Sequence, residues 1–559
     1  MKRAKVEIVE LDTKKLEEVL RRAESALEER DYETIKAVIE SYAYIAELVG
    51  DKNTTIRRLR NLLFGASTEK TETVLGDKGD GSTSSASDGD VPESSEKTAS
   101  KEESKPRPKG HGRNGADDYP GAEQIQVPHE SLEPGDPCPD CQKGTVYEMD
   151  KPGVLIRLVG QAPVGAKVYR LQKLRCNLCG KIFTAQAPEG VGAEKYDATV
   201  CSMIGLLKYG CGFPFNRQDG LQGDMGVPLP ASTQWELVQA GAEQIEPAHT
   251  ELIFQAAQGD VLYNDDTTAR ILEFMGKRAE QTLAEGSADD SDDKKESGRR
   301  GLFTSGIVAT SGGHRIALFF TGRKHAGENL ADVLRHRVAE LDAPIQMCDA
   351  LSRNLPGELK TIVANCMAHA RRKFVDVVDD FPQECRHVLE ALRVIYHNDA
   401  LAREQELSPE ARLQLHQAES GPVMEELHGW LTRQFDERLV EPNSGLGQAI
   451  RYLLKHWEKL TLFLRKAGAP LDNNICERAL KKAVLHRKAA MFYKTENGAH
   501  VGDLYMSLIH TCQLSGVNPF DYLTELQRHA NELAATPGDW MPWNYRQTLA
   551  ASVACEVAR

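Results

Sequence analysis

An α/β core on a mixed sheet is the architecture this sequence predicts. An all-α subdomain interrupts that core, and a helical N-terminal region and a small cysteine-bearing unit precede it. Three observations carry the reading. Between 258 and 366 the apolar period changes from helical to alternating, giving five strand-like runs with one helical run between the third and the fourth. From about 375 to 465 the helical period returns. Upstream lie two Cys-x-x-Cys pairs, 34 residues apart, with strand-like alternation between them.

Composition narrows the class. At roughly 100–200 residues per domain, 559 residues suggest about three to five domains. Hydrophobic residues at 40% and charged residues at 27% are ordinary for a soluble globular chain. There is no run of about 18 apolar residues, which excludes a membrane-spanning helix. The start, MKRAKVEIVELD, lacks an apolar signal core, so we expect no signal peptide and a cytosolic location. Net charge −14 argues against coating DNA by bulk charge and leaves room for local basic surfaces. Twelve cysteines without a secretion signal argue against a disulfide scaffold.

The elements follow in order. Residues 1–70 read as helices, with Leu16, Val19, Leu20, Ala23 and Leu27 at helical spacing, then Ile35 to Leu48, then a basic piece from Ile56 to Gly65. This is a hairpin or coiled coil that oligomerises, or one that also touches DNA through Arg57, Arg58 and Arg60. Residues 71–118 are Ser-, Gly- and charge-rich, with too little apolar surface to offset chain entropy, and read as a disordered linker. Residues 119–188 form the cysteine unit, 189–257 a helical linking or DNA-binding region, 258–515 the α/β core, and 516–559 a C-terminal tail domain. An acidic insert at 286–301 separates the first two strands of the core.

Cys138, Cys141, Cys176 and Cys179 read as a zinc ribbon holding one structural ion. Zinc takes four thiolates in a tetrahedron, and each Cys-x-x-Cys turn offers two on one side. Four cysteines leave no open position for catalysis; the bland alternative is a pair of redox dithiols.

In the core, strands are expected at Asp260–Asp265, Phe303–Ala309, His314–Phe320, Pro344–Cys348 and Thr361–Ala364, with a helix over Glu328–Val338. Three strands, a helix and a strand, with acids ending the first and fourth strands, is the order of an RNase H-like fold. There those strands lie side by side, so Asp265 (or its neighbour Asp266, which pattern leaves open) would meet Asp349. A third acid, Glu477, opens a helix whose surroundings are basic: residues 451–500 hold 11 Lys or Arg against 4 Asp or Glu. Three hard carboxylates can hold two magnesium ions, or manganese in their place, about 3.5–4 Å apart, activating water or a DNA 3′-hydroxyl for in-line displacement. Arg478, Lys481, Lys482, Arg487 and Lys488 would then hold phosphates. Taken singly, each acid reads as a turn residue or cap, and Glu477 could pair with Lys481.

These residues resemble the insertion sequence 66 family of DDE transposases. Leu63–Lys70 resembles its Phe-Gly…Ser-Glu-Lys box; Lys195-Tyr196 and Pro214–Gln218 resemble its Lys-Tyr…Pro-Leu-Tyr-Arg-Gln segment. Asn264-Asp265-Asp266-Thr267 resembles its Ala-Asp-Glu-Thr motif, which selects Asp265. Cys366–Phe374 is similar to its Cys-Trp-Ala-His-Ala-Arg-Arg-Lys-Phe box, Asp472–Arg478 and Arg487-Lys488 to its last motif, and Met541–Tyr545 to its Leu-Pro-Trp-Asn-Trp tail. Asp349 matches the second acid, although Ala350-Leu351 stand where the family has Gly-Tyr. The resemblance implies cleavage and strand transfer at terminal inverted repeats, target DNA as second substrate, a homo-oligomer on DNA, accessory proteins from the same element and a nucleoid location when bound. It also brings His369, Arg371 and Arg372 forward as DNA contacts, or else as a solvated helix face. The other reading is a catalytically decayed DNA-binding protein, acting as repressor or relic of the element.

Overall fold

The computed structural model describes residues 131–140, 143–147, 161–175, 182–189, 194–275 and 301–557. Lys373–Val394 belong to one compact unit; the sheet and the candidate acids belong to the other. The N-terminal helices with Arg57, Arg58 and Arg60, the 71–118 linker and the 286–300 part of the acidic insert lie outside the described residues.

The cysteine unit contributes a two-stranded antiparallel sheet, β1 (Lys173–Arg175) with β2 (Ile182–Thr184). Helices α1 (Ala198–Gly205), α2 (Phe215–Asp224) and α3 (Ala231–Ala257) follow. The main sheet is mixed and five-stranded: β3 (Val261–Thr268), β4 (Phe303–Ser311), β5 (His314–Gly322), β6 (Ile345–Cys348) and β7 (Ile362–Asn365), in spatial order β5-β4-β3-β6-β7. The first three strands run antiparallel, while β6 and β7 run parallel to β3. The first and fourth strands are therefore neighbours, with Tyr263 opposite Met347. Gly312 and Gly313 close the β4–β5 hairpin in two residues, both at positive φ (54° and 84°), the conformation a right-twisted two-residue turn requires.

The helix after β5, α4 (Ala326–Leu334), begins two residues before the expected start and stops four before the expected end. At its start His325 and Glu328 form a capping box. Past its end, Arg337 donates to the carbonyls of Ala257, Gly259 and Asp342, which fastens the chain in a turn. Beyond β7 come α5 (Met367–Val375), α6 (Pro382–Glu404), α7 (Pro409–Leu415), α8 (Gly421–Asp436), α9 (Gly445–Lys455) and α10 (Trp457–Leu460), an all-helical run between the fifth strand and α11 (Asn474–Ala490). The chain closes with α12 (Glu496–Leu514), α13 (Pro519–Arg528), α14 (Ala530–Ala535) and α15 (Tyr545–Val557). One core joins sheet residues Leu262, Ile307 and Phe319 to Ile245 of α3, Leu504 of α12, Leu526 of α13 and Trp540.

The outer edge of the sheet shows why α12 sits where it does. β5 is an edge strand, so every second N–H points away from β4 and needs a partner. Thr511 Oγ1 takes the N–H of Ala317 (3.1 Å), Ser507 Oγ that of Phe319 (3.0 Å), and Asp503 Oδ2 that of Thr321 (2.6 Å). Four helical residues advance about 6.0 Å and two strand residues about 6.6 Å, so an i, i+4, i+8 series of acceptors tracks alternate strand amides. Burial pushes the carboxyl of Asp503 up to about 7. A raised carboxyl pKa means the folded state holds a proton the unfolded state has lost. Asp503 therefore favours folding most below its unfolded value of about 4, and this is lost as pH rises towards 7. Asp503→Asn should flatten that slope. The variant should be relatively more stable at pH 8 by a few kcal/mol, since each tenfold change in proton affinity is worth about 1.4 kcal/mol. Urea unfolding of both proteins at pH 4.5 and pH 8 measures it; parallel slopes would refute the assignment.

Candidate active site

Strand alternation sends Asp265 and Asp266 to opposite faces of β3. Asp266, with a side chain only 2% exposed, is paired with His325 Nδ1 at 2.8 Å and an Arg353 guanidinium nitrogen at 3.3 Å. Asp265 has acidic company instead. Burial chiefly, together with the charges of Asp349, Asp266 and Glu477, raises its carboxyl to about 7, against the opposing hydrogen bond from the Asp266 N–H (2.8 Å).

Each neighbouring acid arrives by a separate route. Asp349 follows β6 directly, and β6 is hydrogen-bonded to β3. Its Oδ1 accepts from the Leu351 N–H (3.2 Å) and from Asn354 Nδ2. Glu477 lies in the first turn of α11. That helix crosses β4 at Gly306, the residue opposite Asp265, where Cys476 Sγ donates to the Gly306 carbonyl at 3.2 Å. A Cβ on Gly306 would stand 3.0 Å from Leu480 Cγ, so the glycine permits the close crossing.

Beneath the acids runs a buried amide network. Gln346 Nε2 donates to Asn264 Oδ1 (2.9 Å) and to the Asn354 carbonyl (2.7 Å), which Asn264 Nδ2 also reaches (2.8 Å). Asn473 Nδ2, just before α11, donates to the Asn264 carbonyl at 3.1 Å, and its N–H donates to Cys366 Sγ at 3.2 Å. The network links the residue before Asp265, the holder of Asp349 and the start of the Glu477 helix. Asn264 and Asn473 fall inside motifs that the resemblance rests on, but no sequence reading gives any of the four amides this role. The available signal was a polar side chain inside otherwise apolar strands, Asn264 and Gln346, which a core tolerates only when hydrogen-bonded.

Among the described residues, one set of three metal-type ligand atoms lies within 4.8 Å of one another: Cys366, His369 and Glu477. His369 Nδ1 stands 3.8 Å from Glu477 Oε1. Burial pushes the Cys366 thiol to about 12.

The basic residues divide. Arg478, Lys481 and Lys488 are exposed along α11, Lys482 and Arg487 are half-buried, and Arg487 also donates to Thr268 Oγ1 at 2.5 Å and to the Thr268 carbonyl. Arg371 is half-buried and Arg372 exposed on α5. In the cysteine unit, Cys138 is half-buried and its N–H bonds the Gly144 carbonyl at 2.7 Å. Cys141, Cys176 and Cys179 lie outside the described residues, the latter two between β1 and β2.

Residues 195–501 match the model of the family described as Transposase IS66 family. The chain belongs to the IS66 transposase family. It is similar to uncharacterized proteins of Sinorhizobium fredii. To y4hP it is 26% identical over 410 residues, covering 68% of each chain. To y4jD it is 34% identical over 188 residues, covering 33% of this chain and 36% of that protein. To y4qI it is 25% identical over 355 residues, covering 61% of each. The IS66 match begins just before α1, takes in the mixed sheet and the helical insertion, and ends inside α12, so all three acids fall within it. No helix among the described residues of this IS66 family member is long and apolar enough to cross a membrane.

Proposed function

We propose that this chain is a DDE transposase with an RNase H-like core, which binds the terminal inverted repeats of its element and cleaves and transfers DNA strands. Asp265, Asp349 and Glu477 hold two divalent ions, magnesium or manganese. One observation carries the reading: the charges of Asp349 and Glu477, from remote parts of the chain, both act on the carboxyl of Asp265, which burial chiefly already raises to about 7. Like charges kept together this way oppose folding unless a cation neutralises them. The donors also fit such a cation. They are hard carboxylate oxygens, and Glu477 Oε1 is buried without a hydrogen-bond partner among the described residues.

When bound, divalent ions supply Lewis-acid stabilisation and a more acidic water or hydroxyl. The residues of the chain do the rest. The Leu351 amide and Asn354 fix Asp349 through Oδ1, leaving Oδ2 for an ion. Asn473 fixes the start of α11 and hence Glu477. The exposed Arg478, Lys481, Lys488 and Arg372, with the half-buried Lys482, Arg487 and Arg371, offer phosphate contacts that position DNA without reading its sequence. Arg57, Arg58 and Arg60 extend that role to the N-terminal region, which joins copies on DNA; accessory proteins of the element are further partners.

The test is nicking of a duplex carrying the element's inverted end by the full chain with magnesium. Cleavage at the end is expected. Tight binding of the repeat without nicking would replace this reading with that of a decayed DNA-binding repressor.

The four cysteines are assigned one structural zinc. Elemental analysis should find about one zinc per chain, lost in the Cys138→Ser, Cys176→Ser double variant. Stoichiometric zinc in that variant would refute the ligand set.

A further inference from the structure

We infer that His369 is a ligand of the ion held by Glu477, making the centre three carboxylates and one imidazole; this rests on the carboxylate reading above.

The helix start places the side chain. The N–H of Met367, first residue of α5, donates to the Leu471 carbonyl at 3.0 Å, so the first turn of α5 lies beside the chain entering α11. His369 is in that turn. Its Nδ1 and Glu477 Oε1 are both buried, and neither has a hydrogen-bond partner among the described residues. Each such orphan opposes folding, and the two stand together. Their separation, 3.8 Å, is too long for a hydrogen bond. It suits two ligands of one ion: an ion about 2.1 Å from each allows them to stand up to about 4.2 Å apart. Cys366 completes the cluster in space but not in chemistry. Its sulfur already accepts from the Asn473 N–H at 3.2 Å, and thiol is a poor donor for hard divalent ions. His369 therefore serves as the neutral Nε2–H tautomer, with Nδ1 turned to the ion.

A nitrogen donor has a consequence for ion choice. Imidazole suits transition ions better than magnesium, so the site should prefer manganese, and His369 should carry that preference.

Full-length protein with one equivalent of Mn(II), examined by pulsed electron paramagnetic resonance, tests this. Histidine nitrogen coupling is expected in the wild type, confirmed by its change on 15N-histidine labelling. It should vanish in His369→Gln and persist in His314→Gln, a strand residue stacked on Trp543. Manganese affinity should fall at least about tenfold in His369→Gln, with magnesium affinity falling less. Bound manganese without histidine coupling, or coupling that survives His369→Gln, overturns the inference and leaves the carboxylate reading standing. Manganese binding unchanged in Asp265→Asn, or absent from the wild type, overturns both. Should His369→Gln not fold, the labelled wild-type spectrum still decides whether a histidine nitrogen binds the ion.

Discussion

Asp265→Asn, Asp349→Asn and Glu477→Gln should each lower cleavage of an inverted-end duplex by about a thousandfold or more while leaving repeat binding largely intact. Metal-ion stabilisation of a phosphoryl transition state amounts to several kcal/mol, and each 1.36 kcal/mol is a factor of ten in rate. The stability response should be opposite in sign. In metal-free buffer at pH 8, Asp265 is held ionised in a buried, acidic place that raises its pKa to about 7, so Asp265→Asn should unfold at higher temperature than the wild type. Adding magnesium should reverse the order, because an ion at a hundred times its dissociation constant stabilises the protein that binds it by about 2.7 kcal/mol. Wild-type cleavage rates in all three variants would end the catalytic assignment. An unchanged order with and without magnesium would end the metal assignment.

Gly327→Ala should be among the most damaging single methyls in the core, with Gly447→Ala. A Cβ there would stand 2.2 Å from the Leu355 carbonyl oxygen, 2.6 Å from that of Arg353 and 2.8 Å from Asn354 carbon. All three are backbone atoms, which cannot rotate away. The turn they form carries Arg353, paired with Asp266, and Asn354, which holds Asp349. Overpacking commonly costs about 1–3 kcal/mol, and a backbone clash belongs at or above the top of that range. Thermal unfolding should show a clear drop, and the folded fraction should cleave more slowly because the Asp349 carboxylate has lost its register. Gly306→Ala meets side chains alone, Leu480 closely and Cys476 at ordinary contact, and should cost less. A Gly327→Ala protein of wild-type stability would contradict this packing.

The five strands of the core were legible because alternation and strand length are local properties. Val261–Thr268 and His314–Gly322 carry them in their own residues. The two-glycine turn between β4 and β5 is equally local, since positive φ at both positions selects glycine. The ends of α4 were less so: its start depends on the His325–Glu328 capping box, and its end on Arg337 reaching carbonyls about 80 residues upstream. Of the amide network only a hint was legible, the polar Asn264 and Gln346 inside apolar strands; its partners Asn354 and Asn473 look ordinary until three distant segments meet.

By itself, the sequence determined which residue types were available: three hard acids, a basic stretch around the last of them, and strands in an order that sets the first beside the fourth. Family membership followed from the same linear motifs. The motif resemblance had already selected Asp265; tertiary structure supplied the physical reason, setting Asp265 among acids and pairing Asp266 with His325 and Arg353, because strand alternation separates them but only packing names the faces. It also decided that His369 stands beside Glu477. Periodicity reports on the nearest turns of the chain, whereas a site assembled from β3, β6, α5 and α11 depends on contacts whose separation in sequence no local pattern encodes.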